Sequence, residues 1–255
     1  MINSSDKVVF PFIINGLPVQ AVYTQTSINE IFLPFLREIT DLRKKKGKRI
    51  LILLAAPPAA GKSTLCEFLK MLSVQTEGIL PLTVIGMDGF HRYQDDLLSH
   101  TFVRDGEERP LTEIKGAPVT FDLGKLTDRI RLVASGEVCT WPLYDRTAHN
   151  PKEDALTVDG EIVLLEGNYL LLDEPGWRDL RMFADMTVRI IANEEDLRER
   201  LISRKVAGGT EYAKAVEFVN RSDLANARLC LSETMPADKT WILLHDGEYV
   251  EQRDS

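Results

Sequence analysis

The feature that most constrains this chain is the segment 56–64, which reads APPAAGKST. The apolar run at residues 50–54 precedes it and predicts a buried strand, and residues 65–72 follow with apolar side chains at helical spacing. An [Ala/Gly]-x₄-Gly-Lys-[Ser/Thr] pattern between a strand and a helix is typical of a phosphate-binding loop. The alternative is an ordinary strand-to-helix turn whose Gly61 allows close packing.

The chemistry of such a loop is specific. Backbone N–H groups and the positive end of the following helix surround nucleotide phosphates, while Lys62 reaches the β- and γ-phosphates and Ser63 places its hydroxyl on Mg²⁺. Ala56 replaces the usual first glycine, which matters if that position requires a positive φ. The sequence therefore predicts ATP with Mg²⁺, held by Ala59, Ala60, Gly61, Lys62, Ser63 and Thr64.

Length and charge set limits on the function. At 255 residues and 44% hydrophobic composition, the chain can bury the core of one large domain. A formal net charge of −8 argues against a nucleic-acid partner bound through a broad basic face. The basic cluster at residues 43–49 closes a predicted helix, and we interpret it as a solvated helix end.

The cysteines and the hydropathy pattern bear on the compartment. Cys66, Cys139 and Cys230 are odd in number and widely spaced, as expected for reduced thiols. No segment approaches the length of a membrane span, and the N-terminus has no basic-then-apolar signal pattern. These observations predict a cytoplasmic protein without a membrane partner.

The first part of the chain predicts a β-hairpin and a helix. Residues 7–24 alternate in strand fashion around the turn dipeptide Asn15-Gly16. A helix is expected from about Ser27, its predicted N-cap, to Lys46, although Pro34 favours a kink or a delayed start.

From Arg49 onward, apolar strands alternate with helices. We expect strands at 50–55, 82–87, 161–166, 186–191 and 240–245. We expect helices near 63–74, 122–135, 194–206 and 210–231. This order predicts an α/β fold, a mostly parallel sheet between two helical layers.

Two acidic residues follow predicted strands, where ligands of parallel sheets bind. Asp88 follows the strand at 82–87, and Glu166 ends the strand at 161–166. Phosphoryl transfer to a hydroxyl requires a carboxylate that accepts its proton and acidic groups that orient Mg²⁺. Asp88 is the candidate base and Glu166 the candidate metal-site carboxylate; each would otherwise be a helix cap or a turn residue.

Four further motifs carry a family resemblance. They are MDGFH at 87–91, KGAPVTFD at 115–122, WPLYDRTAHNP at 141–151 and EGNYLLL at 166–172. In this order they resemble the P-loop small-molecule kinases of the uridine kinase, phosphoribulokinase and pantothenate kinase superfamily. The chain is most similar to a bacterial branch of nucleoside/nucleotide kinase-like proteins, some of them called fructose-transport-associated kinases.

The resemblance implies the P-loop NTPase fold, with residues 1–48 as an accessory segment and 49–255 as the kinase domain. It also implies roles for single residues. Asp88 is the base near the acceptor hydroxyl, and Glu166 closes the Walker B-like strand. The acceptor contacts it implies are Asp88, Phe90, His91, Asp122, Tyr144, Arg146 and His149. Alternatives remain for three of these: Tyr144 as a core ring, His149 as an exposed loop residue and Asp122 as a helix N-cap.

The stretch 196–231 resembles the lid of these kinases. Arg200 and Arg204 lie four residues apart on one helical face, and we expect them to contact ATP phosphates and stabilise transition-state charge. The other reading is a salt-bridged surface helix, since Glu194, Glu195 and Glu199 lie among the arginines.

The leading function is transfer of the γ-phosphate of Mg·ATP to a hydroxyl of a small metabolite: a nucleoside, a sugar or a pantothenate-like alcohol. The alternatives are a nucleotide-dependent switch or coupling ATPase, and a nucleotide-binding protein without catalysis. Neither an Asn-Lys-x-Asp nor a Leu-Ser-Gly-Gly-Gln motif is present, which disfavours the switch. Arg92, Arg104 and Arg109 are candidates to bind an anionic group of the acceptor, or are solvated loop charges. The resemblance also leaves a homo-oligomer open.

Overall fold

A computed structural model describes residues 7–14, 17–104 and 106–252 of the chain. The strands in this part are β1 (Lys7–Ile14), β2 (Leu17–Thr24), β3 (Ile50–Ala55), β4 (Leu82–Gly86), β5 (Thr101–Arg104), β6 (Glu107–Pro110), β7 (Cys139–Asp145), β8 (Asn150–Val158), β9 (Ile162–Gly167), β10 (Met186–Ala192), β11 (Lys239–Leu243) and β12 (Tyr249–Glu251). The α-helices are α1 (Gln25–Ser27), α2 (Leu33–Lys46), α3 (Lys62–Gln75), α4 (Gln94–Ser99), α5 (Leu123–Ser135), α6 (Glu194–Ala207), α7 (Tyr212–Phe218) and α8 (Leu224–Ser232).

A six-stranded sheet forms the centre of the molecule, with strand order β12-β11-β10-β3-β9-β4. Neighbouring strands are parallel except for the antiparallel edge pair β11 and β12. All six side chains of β3 are buried, as expected for a strand covered on both faces. The predicted α/β fold with a mostly parallel sheet is confirmed.

The two faces of the sheet bury separate hydrophobic clusters. Ile50, Ile52 and Leu54 of β3 pack with α3 and the N-terminal segment. Leu51 and Leu53 face the opposite cluster, which includes side chains of α5 and β7. The alternation of β3 side chains between the clusters produces the three layers predicted from the sequence.

The N-terminal hairpin packs directly on the central domain. Strands β1 and β2 pair antiparallel along their whole length, and the predicted turn Asn15-Gly16 lies outside the described residues. The ring centroids of Phe10 and Phe68 lie 4.7 Å apart, and those of Tyr23 and Phe68 lie 4.4 Å apart. Phe68 belongs to α3, so the hairpin rests on the helix that follows the phosphate loop.

The start of the N-terminal helix differs from the prediction. Thr24, not Ser27, is the N-cap: its Oγ1 accepts a hydrogen bond from the Ser27 amide. Ser27 is fully buried, and its hydroxyl accepts a hydrogen bond from the Tyr249 amide of β12 at 2.9 Å. A π-helical turn at Ile28–Phe32 comes next, and Pro34 lies in the first turn of α2, where a proline needs no N–H partner.

Two hairpins were missed by the sequence analysis. One joins β5 and β6, and the other joins β7 and β8. Strand β8 is mostly polar, and β7 contains Pro142 where the register shifts, so neither shows a clear alternation of apolar and polar residues. The β7–β8 hairpin forms one wall of the candidate site.

The basic cluster is only partly a solvated helix end. Gly47, with φ 71°, ends α2 as expected. Arg49, however, is 8% exposed and donates to the carbonyl oxygens of Gly160 at 2.7 Å and Glu137 at 2.5 Å. Arg49 therefore ties the start of β3 to the ends of α5 and β8.

In the part of the chain that is described, the structure has no helix long and apolar enough to cross a membrane. Cys66, Cys139 and Cys230 are all buried and unpaired, as the sequence predicts for reduced thiols.

The buried position of Arg49 leads to a stability prediction. Arg49→Met removes the donor to these buried carbonyl oxygens, and we expect it to lower the free energy of unfolding by about 2–4 kcal/mol. Lys48→Met is the matched control, because Lys48 is exposed and should change stability by less than about 0.5 kcal/mol. Urea unfolding of both variants measures the difference, and equal effects would contradict the role of Arg49.

Candidate active site

The candidate site forms where three neighbouring parallel strands end. β9 lies between β3 and β4, with Glu166 in register with Leu54 on one side and Gly86 on the other. The phosphate loop follows β3, and Asp88 lies two residues beyond the end of β4. The shared direction of the strands therefore brings the loop, Glu166 and Asp88 to one edge of the sheet.

The phosphate loop has the backbone expected of an anion-binding turn. Ala59 and Gly61 have φ values of 66° and 78°, so the left-handed positions are these two residues. Ala56 is buried and has no positive φ, which explains why alanine is tolerated there. Helix α3 begins at Lys62 without a side-chain cap, and the N–H groups of its first turn remain for a ligand.

Ser63 and Glu166 form a pair suited to a magnesium ion. The Ser63 hydroxyl donates to Glu166 Oε1 at 2.7 Å. Hydroxyl and carboxylate oxygens are the ligands that Mg²⁺ prefers, and protein sites usually supply one or two of them beside substrate phosphates. Among the described residues no cluster of three or more acidic, histidine or cysteine side chains is arranged to hold a metal. The residues present therefore fit an ion that arrives with phosphates.

Asp88 lies on a short 3-10 turn, Met87–Phe90, that is held rigidly. The Trp141 indole N–H donates to the Gly86 carbonyl oxygen at 2.8 Å. A Cβ added to Gly89 would lie 2.1 Å from the Pro142 carbonyl oxygen, so only glycine allows this approach of the turn to β7. Phe90 is 1% exposed and packs against Trp141, which places it in the core under the site.

Positive charge surrounds Asp88. Burial acts to raise the pKa of the Asp88 carboxyl, but the charges of His91, Lys62, Arg146 and Arg204 outweigh it and hold the pKa below its ordinary value. His91 contributes only while its ring is protonated, and burial lowers the pKa of that ring. Asp88 is therefore an ionised carboxylate at neutral pH, ready to accept a hydrogen bond or a proton.

The pKa of the Glu166 carboxyl shifts in the opposite direction. Burial raises the pKa of its carboxyl, and the nearby negative charge of Asp88 raises it further, against the opposing effects of Lys62 and the Ser63 hydrogen bond. Two carboxyls thus share one site with different proton affinities.

His91 and Tyr144 form an aromatic wall beside Asp88. The His91 ring lies 4.0 Å from the Phe121 ring and 4.9 Å from the Tyr144 ring, and its Nδ1 is 2.8 Å from the Asp88 carbonyl oxygen. The Lys115 ammonium lies 5.2 Å from the centre of the Tyr144 ring and donates to the His149 carbonyl oxygen at 3.0 Å. Lys115 thereby fixes the turn between β7 and β8.

A cleft of about 400 Å³ opens over Asp88. Its floor contains Ser63, Asp88 and Glu166, and one wall is formed by Tyr144 and Arg146. The remaining lining residues come from the N-terminal hairpin, α3, β4, the Met87–Phe90 turn and the β7–β8 hairpin: Ile13, Ile14, Glu67, Lys70, Val84, Ile85, Gly86, Gly89, Leu143 and Leu156. Sequence reasoning missed the contribution of the N-terminal hairpin, because the lining residues Ile13 and Ile14 show only strand alternation.

Asp122 lies in a neighbouring cavity of about 590 Å³, which His91 also lines. Asp122 is the N-cap of α5 and accepts a hydrogen bond from the Lys125 amide at 2.9 Å. It does not line the cleft that holds Asp88 and Glu166. His149 is exposed, with φ 53°, and lines neither cavity. The acceptor contacts assigned to Asp122, Phe90 and His149 stay predictions.

The arginines of α6 have different surroundings. Arg204 interacts more strongly with Asp223 than with Asp88, and desolvation lowers the pKa of its guanidinium. The charge of Arg200 opposes the burial that raises the pKa of Tyr249, whose hydroxyl lies 3.5 Å from the Ala60 carbonyl oxygen of the phosphate loop. Arg198 donates to Asn220 and Glu195. Of these three arginines, Arg204 is the one whose charge lowers the pKa of Asp88.

The raised pKa of Glu166 gives a pH-dependent stability prediction. Its ionisation in the folded state is unfavourable, so stability is lost as pH rises above the ordinary glutamate value of 4.5 and through the raised folded-state pKa. Glu166→Gln removes this cost and keeps an acceptor for Ser63. We expect its melting temperature, without nucleotide or Mg²⁺, to exceed that of the unsubstituted protein by about 2–4 °C at pH 7.

The gap should close below pH 4.5, where both proteins carry a neutral group at this position. Glu77→Gln is the control, because Glu77 is exposed and lies outside the cleft. Calorimetry across the pH range measures both effects. A gap that did not change with pH would contradict the assignment.

The chain is similar to several known proteins. "Uncharacterized protein YggC" of Escherichia coli (strain K12) is 40% identical over 237 residues, 92% of this chain and 96% of that protein. "Putative uridine kinase C227.14" of Schizosaccharomyces pombe is 32% identical over 71% of this chain and 78% of its own length. The crystal structure of a "putative fructose transport system kinase" from Silicibacter sp. TM1040 superimposes with a TM-score of 0.70 at 34% identity, covering 81% of this chain and 98% of that one.

No model of a protein family matches the chain. The relatives nevertheless span most of its length, and the Silicibacter structure shares its fold. The chain belongs to the P-loop small-molecule kinase superfamily that includes uridine kinase, pantothenate kinase and phosphoribulokinase.

Proposed function

We propose that the protein transfers the γ-phosphate of ATP to a hydroxyl group of a small metabolite. The observation that carries this proposal is the convergence of the phosphate loop, the Ser63–Glu166 pair and the ionised Asp88 at one edge of the sheet. The kinase relatives support the same reaction class.

Each group then has a chemical role. The amides of the loop and Lys62 hold the phosphates of ATP. Ser63 and Glu166 hold Mg²⁺, which neutralises charge on the phosphates when it is bound. Asp88 accepts the proton of the acceptor hydroxyl while the oxygen of that hydroxyl bonds to the γ-phosphorus. ADP then leaves with the oxygen that bridged its β-phosphate to the γ-phosphate.

Arg204 stabilises the charge that develops on the transferred group. Its guanidinium remains cationic at neutral pH although desolvation lowers its pKa, and its charge acts on Asp88. Helix α6 ends at Gly208-Gly209, which allows the helix to move as a lid that closes over bound nucleotide.

The first test removes the proposed base. Asp88→Asn should lower the rate of phosphate transfer by about 10²–10⁴-fold, because the amide cannot accept the hydroxyl proton. The affinity for Mg·ATP should change little, since the loop and Ser63 are untouched. Transfer is measured as acceptor-dependent ADP release over a panel of nucleosides, sugars and pantothenate, and binding is measured by calorimetry.

Asp95→Asn is the control for this substitution, because Asp95 is exposed on α4 and lines neither cavity. Near-normal turnover by Asp88→Asn would remove Asp88 from the role of base. ADP release that does not depend on any acceptor would favour an ATPase over a kinase.

The second test compares two lid arginines. Arg204→Ala should lower the maximal rate by about 10²-fold or more, since it removes a cation from the developing charge. Arg198→Ala should have little effect, because Arg198 bonds only to Asn220 and Glu195 among the described residues. Steady-state kinetics at saturating ATP separate the two variants, and equal rates would contradict the role of Arg204.

A further inference from the structure

Arg146 lines the cleft, and the proposed reaction gives its guanidinium no contact with a substrate. The other cation that lines the cleft, Lys70, pairs with Glu67 at 3.3 Å. Arg146 lies in the turn after β7, and its side chain is 47% exposed and lines the cleft above Asp88. Its only ion pair among the described residues is a long one, 3.9 Å from Nη2 to Asp88 Oδ2. A guanidinium carries five N–H donors, so most of its hydrogen-bonding capacity faces the cleft unused.

The other arginines considered for an anionic acceptor are occupied or lie elsewhere. Arg109 pairs with Glu107 at 2.9 Å and with Glu113 at 3.4 Å, and it lines neither cavity. Arg92 pairs with Asp96 at 3.4 Å and lines the neighbouring cavity. The side chain of Arg104 lies outside the described residues.

The position of Arg146 also separates it from the groups that hold ATP. Lys62 belongs to the phosphate loop and Arg204 to α6, whereas Arg146 comes from the β7–β8 hairpin. Tyr144 from the same hairpin lines the same wall. Arg146 on this wall lies beside Asp88, the proposed base. It can therefore contact the acceptor whose hydroxyl proton Asp88 accepts.

Resting on the proposed kinase function, we propose that the acceptor carries an anionic group, a carboxylate or a phosphate, and that Arg146 binds it. Arg146 is thus a specificity-determining residue: it selects an anionic alcohol over the neutral alcohol of the same skeleton. Arginine suits this role because its planar fork makes two parallel hydrogen bonds to either anion.

The geometry limits the distance between the reacting hydroxyl of the acceptor and its anionic group. The hydroxyl oxygen must lie about 3 Å from Asp88, and the anion about 3 Å from the Arg146 guanidinium. With 3.9 Å between these two side chains, the hydroxyl and the anionic group are at most about 10 Å apart. The acceptor therefore carries its anionic group within about 10 Å of the hydroxyl that reacts.

The test uses pairs of alcohols that differ by one anionic group: pantothenate and pantothenol, ribose 5-phosphate and ribose, glycerate and glycerol. Calorimetry measures their binding to the full chain saturated with Mg²⁺ and a non-hydrolysable ATP analogue. We expect at least one anionic member to bind about tenfold or more tightly than its neutral partner. Arg146→Met should abolish that preference, because the anionic member loses its partner and then binds no more tightly than the neutral member.

Two further variants make the result specific. Arg146→Lys keeps the charge without the fork and should retain only part of the preference. Arg109→Met, the matched arginine outside the cleft, should retain all of it. Melting curves without ligand confirm that each variant is folded.

The proposal is overturned if no anionic member binds, if neutral members bind equally well, or if Arg146→Met keeps the preference. Phosphate transfer is measured on the same pairs to keep the two proposals apart. Equal transfer to a neutral and an anionic member would overturn the role of Arg146 and uphold the kinase. Arg146-dependent binding without transfer to any member would uphold the anion site and overturn the kinase.

Discussion

The parallel pairing of β9 with both β3 and β4 is the constraint on which the rest of the site depends. Parallel strands place their carboxyl ends on the same side, so the loop after β3, the acid of β9 and the turn after β4 meet without any further device. The pairing is held by wholly buried aliphatic side chains such as Leu53 and Leu165. The polar side chains of the site are thus positioned by buried apolar side chains that take no part in the chemistry.

The electrostatic surroundings then give the two carboxyls of the site different pKa values. Partial desolvation acts to raise the pKa of both Asp88 and Glu166. Cations on three different elements reverse the effect at Asp88, whereas Glu166 has Lys62 as its main opposing charge and the negative charge of Asp88 nearby. Environment, not residue type, therefore gives the two carboxyls different proton affinities.

The sequence predicts the sheet well because buried parallel strands are long apolar runs with an unambiguous signal. β3 and β9 are of this kind, and their ends show where to look for charged residues. The β7–β8 hairpin gives no such signal, because it is half exposed, polar along β8 and interrupted by Pro142. Its contribution to the cleft follows from tertiary packing against the Asp88 turn, through Trp141 and Gly89.

Some side-chain positions can likewise be predicted from the sequence, and others depend on tertiary contacts. The direction of Ser63 and Glu166 could be expected from the motifs, since backbone geometry fixes both. The resemblance implies that Arg146 contacts the acceptor, but its single long ion pair among the described residues could not be expected, because knowing it requires the partners of every charged side chain in three dimensions. Ser27 shows the same limit: besides the Thr24 side chain, its hydroxyl bonds to an edge strand 222 positions away in the chain.

The N-terminal hairpin has a consequence for how the protein can diversify. Ile13 and Ile14 reach the cleft from an element that is not part of the central sheet, while Phe10 anchors that element on α3. Residues at the hairpin end can therefore change shape and polarity without disturbing the strands that hold the phosphate loop. This wall of the cleft is free to change under selection while the strands beneath the phosphate loop stay constant.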